Sequence, residues 1–160
     1  MALRRARNGG ASVMRRIPLV FPLGLILILL FASPAPAQMN VRLRVIQASN
    51  IGRAVDPSLR DLHGQMGSLF NFTSYRLFRQ DDLSLYPGLP TSIQVRPGRY
   101  IEVTLVQEYR EGAEVRIRVI REGKDILNAM VRLSPGRTVL IGGPRHAGWV
   151  TIFALSPARY

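Results

Sequence analysis

Apolar and polar positions alternate from Val41 onward. In residues 41–48, VRLRVIQA, Val41, Leu43 and Val45 fall on one side, and Arg42, Arg44 and Ile46 on the other. A period of two predicts a strand with one buried face. The pattern then changes. Asp56-Pro57 is a helix start: the Asp carboxylate accepts from orphan amides, and Pro57 gives up no needed donor. Leu59, Leu62, Met66, Leu69 and Phe70 follow at spacings of three and four, which predicts one apolar face of a helix from about residue 57 to 70. Gly64 and Gly67 each cost about 1 kcal/mol relative to alanine, so the helix is expected to depend on packing against a sheet.

Period two returns after the helix. TSYRLFRQ and DLSLYPG are two short strand candidates, with Asp81-Asp82 near a turn between them. Turn signals then recur at RPGR (96–99), REGA (110–113), REGK (121–124) and SPGR (134–137). Pro-Gly presets one central dihedral and supplies a residue free to take positive φ, as a type II turn requires; Glu-Gly is a weaker version. Between the turns, EVRIRVI points Val115, Ile117 and Val119 one way and Arg116 and Arg118 the other. The expected fold is α+β: a mainly antiparallel meander of six to eight strands, curled into a sandwich or half-barrel, with one helix packed after the first strand.

The apolar run at residues 19–32 belongs to neither pattern. Arg4, Arg5, Arg7, Arg15 and Arg16 precede it without an acid, and SPAPAQ follows it. A basic region, a short apolar region and an A-x-A site form a secretory signal, with cleavage expected before Gln38. Residues 1–37 are then a signal peptide and 38–160 a single domain, periplasmic or extracellular. The alternative is a retained anchor in the inner membrane, although 14 apolar residues fall short of the roughly 20 that a span needs. The membrane is otherwise not an expected partner.

Charge and composition narrow the chemistry. The chain carries +12, and loss of the five leader arginines leaves +7, with Lys124 the single lysine. Such a balance favours acidic partners, an envelope protein or an acidic polymer. Scattered aromatics and export argue against nucleic acid. There is no cysteine, and the two histidines, His63 and His146, come without the converging ligands a metal requires, so no metal, cofactor or catalytic residue is assigned. Asp81-Asp82 reads as a solvated acid pair. Candidate binding residues are Arg116, Arg118 and Arg132, which with Arg42 and Arg44 form a possible basic stripe, and Arg145 and His146 at the tip of the last hairpin.

That hairpin, VLIGGPRHAGWV, raises the question of a phosphate cradle. Its glycines lead through Pro144 into another strand, so no helix N-terminus awaits an anion. The expected roles are structural: Gly142 and Gly143 release the chain from the sheet, Pro144 blocks pairing, and Gly148 lets it return.

QASNIGRAVDPSLRDL, FTSYRLF and LNAMVRLSPGRTVLIGGPRHAGWVTIFAL, in this order, resemble a group of small exported bacterial proteins of uncharacterised function. The resemblance spans nearly all of residues 38–160 and implies no activity, cofactor or catalytic residue. PGRTVLIGG alone is similar to a strand motif of the outer-membrane secretin family, whose remaining domain is missing here. The expected function is an exported, non-enzymatic binding or scaffold domain of the cell envelope. One alternative is an accessory component of an outer-membrane secretion or assembly system. The other is a small hydrolase or ligand-binding enzyme using His146, which requires a nucleophile and an orienting acid beside it.

Overall fold

The computed structural model describes residues 38–158, so the leader lies outside the described residues. Eight strands follow in order: β1 (Met39–Ser49), β2 (Ser74–Leu85), β3 (Pro90–Arg96), β4 (Arg99–Tyr109), β5 (Gly112–Arg121), β6 (Lys124–Leu133), β7 (Val139–His146) and β8 (Trp149–Pro157). Between β1 and β2 lie a 3-10 turn, Pro57–Leu59, and helix α1, His63–Leu69. The strands form two antiparallel four-stranded sheets, ordered β2-β1-β8-β7 and β3-β4-β5-β6. This is the expected α+β architecture.

Strands consecutive in sequence are neighbours throughout, and β8 returns to pair with β1. The order is that of an eight-stranded up-and-down barrel with hydrogen bonding interrupted twice, between β2 and β3 and between β6 and β7. The result is a sandwich with two lateral seams. At one seam Arg79 of β2 closes the gap: its guanidinium pairs with Asp81 and donates to the Gln94 carbonyl of β3 at 2.9 Å.

The alternation read in the sequence places the core. Val41, Leu43, Val45, Leu83, Phe153 and Leu155 of the first sheet meet Ile101, Val103, Leu105, Val115, Ile117 and Val119 of the second. The other face of the first sheet is also covered. Ile46, Ala48, Ile152 and Ala154 pack under Leu59, Leu62 and Met66 of the helical segment. Three layers therefore stack: helix, sheet, sheet.

Three local expectations change. The continuous helix is instead a 3-10 turn and a seven-residue helix, without a side-chain cap at Leu62. Asp56 caps the 3-10 turn, accepting from the Ser58 amide at 3.0 Å. Because α1 starts at His63, Leu62, Met66 and Phe70 share its inner side at four-residue spacing, and Leu69 is 59% exposed. TSYRLFRQ and DLSLYPG form one strand, β2, rather than two. Asp81 and Asp82 sit mid-strand, where the pleat sends them to opposite faces, Asp81 to Arg79 and Asp82 to Arg42. In the last hairpin the chain does not leave the sheet at Gly142. Pairing shifts between Gly142 and Arg145 and resumes as Arg145 with Val150 and His146 with Trp149. Pro144 is tolerated because β7 is an edge strand.

The four turns fall where expected. At residues 121–124 both central residues have positive φ, 51° at Glu122 and 76° at Gly123. That is a type I′ hairpin rather than a type II turn, and its twist matches the flanking strands.

Candidate functional site

One end of the sandwich collects the tips of the β3–β4, β5–β6 and β7–β8 hairpins together with the end of β1. There the inner face of the second sheet turns from aliphatic to cationic. Arg96 is directly opposite Arg99, Arg99 opposite Arg121, and Arg121 opposite Lys124. Four basic residues thus form an unbroken cross-strand row over β3, β4, β5 and β6. Like charges directly opposite one another destabilise a sheet. Among the described residues none of the four makes an ion pair, whereas Arg42, Arg44, Arg79 and Arg118 all do. Arg99 is half-buried, and Arg96, Arg121 and Lys124 are exposed.

Across from the row stands the end of the first sheet. His146 stacks on Trp149, with ring centroids 4.1 Å apart and planes at 26°. Arg99 Nη1 lies 3.4 Å from His146 Nε2. A guanidinium only donates, so this contact requires an unprotonated Nε2, which places the proton of the neutral ring on Nδ1. Burial pushes the His146 pKa below its ordinary 6.5, and Arg99, Arg121 and Arg96 act in the same direction. The imidazole is therefore neutral at pH 7 and belongs electrostatically to the cationic row.

Two compartments lie at this end, the inner one between the two sheets and the outer one lined by the first sheet and the β7–β8 turn. The inner one is a slot of about 30 Å³, room for little more than a water molecule, lined by Val45, Phe78, Val95, Ile101, Val119 and Phe153 below and by Arg96, Arg99, His146 and Trp149 above. Arg96 lies over the Phe78 ring at 5.5 Å, which fixes one wall. The outer compartment, about 300 Å³, shares Gln47 and Trp149 with the slot and adds Ser49, Ser74 and Arg76. Gln47 pairs with Thr151 on one side and Arg76 on the other. Polar hydrogen-bonding groups thus replace Val45 and Phe153 where the core opens to water.

The proposed basic stripe divides. Arg42 and Arg44 lie on the outer face of the first sheet, held by Asp82 and by Asp61 of the helical segment at 2.7 and 2.8 Å. The hydrogen bond from Arg42 holds the Asp82 carboxyl below its usual pKa. Arg116, Arg118 and Arg132 lie on the outer face of the second sheet, the opposite side of the molecule. Arg118 is bound by Glu102 and Asp125, both at 2.8 Å, and Arg132 lies over Tyr109 at 4.8 Å with Glu114 as its cross-strand neighbour. Among the described residues Arg116, unlike the other two, has neither a carboxylate nor an aromatic partner. This face is charge-balanced. His63 is exposed at the start of α1, and no metal-sized cluster of ligands occurs among the described residues.

Arg145 and His146 part company. Arg145 is exposed on the outer side of the β7–β8 hairpin, and His146 turns inward to the slot. No carboxylate or hydroxyl lies within hydrogen-bond reach of the His146 ring among the described residues; Arg99 is its polar neighbour. A cation beside the ring opposes general-base action, which needs the ring to take up a proton.

The cationic row was not singled out in the sequence. Its four members flank the RPGR and REGK turns, where basic residues look like ordinary turn punctuation. The available signal was that both of these hairpins carry a basic residue on each side.

Comparison of the chain with protein-family models, curated proteins and solved structures returns no match.

Proposed function

We propose that this chain is an exported binding domain of the bacterial cell envelope, and that it engages an acidic partner through the open, cationic end of its sandwich. One observation carries the reading: the Arg96–Arg99–Arg121–Lys124 row, unneutralised, beside a bowl, made of the slot and the outer compartment, lined by His146, Trp149, Arg76 and neutral hydrogen-bonding groups. Deeper inward-facing positions of the second sheet, such as Ile101 and Val119, are apolar. A row that works against sheet stability is understandable where an anionic ligand completes it. Two further features support the reading. The leader has the order of a secretory signal. No helix of the described residues is long and apolar enough to cross a membrane.

The test is expression of the full chain with a C-terminal tag in a bacterial host, followed by fractionation, N-terminal sequencing and affinity capture from envelope extracts. The expected outcome is a mature chain beginning at Gln38, outside the cytoplasm, with an acidic component enriched at low salt. A chain that keeps its leader in the cytoplasm, or capture with no enriched component and no envelope retention, overturns the reading.

A further inference from the structure

The row and the bowl together define a ligand more narrowly than acidity does. A carboxylate offers two oxygens and one negative charge, which one bidentate arginine satisfies. Here Arg99 stands centrally in the row, with Arg96 and Arg121 directly opposite it on the two neighbouring strands. Such a set suits a group with three outward oxygens and nearly two charges, which describes a phosphomonoester near neutral pH. The guanidinium fork matches phosphate geometry, and Lys124 at the end of the row adds a point charge. The slot beneath is too small for a sugar ring or an acyl chain, so the anion sits at the level of the arginines and its carrier extends into the outer compartment. Gln47, Ser49 and Ser74 line that compartment as neutral donors, and Arg76 adds a further cation.

We infer that the bowl at the Arg96–Arg99–Arg121 end of the sandwich is a phosphomonoester-binding site, with Arg99 and Arg121 as the principal charge contacts. The inference rests on the reading of this end as the binding surface. It does not depend on export, because it is tested on the purified domain. Two sources present the same chemistry: a soluble phosphomonoester, for which inorganic phosphate is the probe, and a lipid headgroup ending in a phosphomonoester.

The experiment measures binding of inorganic phosphate by calorimetry and binding of vesicles containing phosphatidic acid by sedimentation. Acetate and pure phosphatidylcholine vesicles serve as the respective controls. Wild-type protein, Arg99→Gln, Arg121→Gln, the exposed-site Arg96→Gln and the outer-face control Arg116→Gln are compared, each checked for a native urea transition. Saturable phosphate binding that weakens about tenfold or more in Arg99→Gln and Arg121→Gln, and is unchanged in Arg116→Gln, is the expected result. Binding confined to phosphatidic acid vesicles, with the same variant pattern, also supports the inference and identifies the lipid as the source. No binding in either arm, acetate binding as tight as phosphate, or equal loss in Arg116→Gln overturns it. Should Arg99→Gln fail to fold, Arg121→Gln decides the matter on its own, because its side chain is exposed.

Discussion

Replacing Arg121 by glutamine removes the middle of a repulsive row. Arg121 is directly opposite Arg99 on one side and Lys124 on the other, and among the described residues it has no ion pair. Each like-charge cross-strand contact costs about 0.2–1 kcal/mol, and the lower end applies because Arg121 and Lys124 are exposed and screened. Two contacts relieved at once predict that Arg121→Gln stabilises the domain by about 0.4–1 kcal/mol. The assay is urea denaturation followed by Trp149 fluorescence, in low-salt buffer and again with 0.5 M NaCl. Urea is required because guanidinium is itself a screening salt. At that salt concentration the screening length falls well below 10 Å, so the wild type gains stability with salt and the variant gains less. The two urea midpoints converge at high salt. An Arg121→Gln variant that is less stable than wild type at low salt, or one with an undiminished salt response, refutes the claim that the row is an uncompensated repulsion.

Three further outcomes follow from packing and titration. Gly143→Ala places a Cβ 2.5 Å from Phe153 Cε2 and 3.1 Å from the Thr151 carbonyl, so it should cost about 1–3 kcal/mol in urea midpoint, and less than 0.5 kcal/mol would contradict the close packing of β7 on β8. Met66→Ala empties a fully buried position under α1 and should cost about 2–5 kcal/mol by thermal or urea unfolding; a near-neutral result would mean that the helical segment is not held by its packing. The folded-state pKa of His146 lies below 6.5, chiefly through burial, so the unfolded chain binds the proton more readily. Its stabilising contribution is present above about pH 6.5 and is lost as pH falls through the lowered folded value; His146→Gln should flatten this first acid limb of the stability profile, and the limb of Asp82, below the usual carboxylate range, should remain.

The periodic features of the chain were legible because one local rule governed each. Val41, Leu43 and Val45 alternate and are buried; the Pro-Gly and Glu-Gly turns punctuate the meander where expected. Asp56-Pro57 starts a helical segment as its chemistry dictates, but two glycines and the turn after Leu59 leave only a short helix behind it. Asp81-Asp82 misled because adjacent acids suggest a turn. In β2 Asp81 is neutralised by Arg79, two residues away on the same face, and Asp82 by Arg42 of β1, so the strand runs through. The basic stripe failed for a topological reason: β1 and β5 belong to different sheets, so Arg42 and Arg116 lie on opposite sides. The cationic row was hidden for the converse reason. Arg96 and Lys124 are far apart in sequence, and only the strand register across three neighbouring pairs brings them into line. His146 was legible as a candidate, yet its setting came from β4 and β5, which no local motif reveals.

Binding in the envelope through the cationic end of the sandwich, as proposed, makes retention depend on Arg99, on Arg121 and on salt. The most direct measurement is co-sedimentation of the purified domain with isolated envelope fragments across a salt series, for wild type and for the Arg99→Gln/Arg121→Gln double variant. Wild type should be retained at low salt and released as salt approaches 0.5 M, when the screening length has shrunk to a few ångströms, and the double variant should stay in solution throughout. Retention of the double variant equal to wild type, or retention of wild type that salt does not weaken, would contradict this mode of binding.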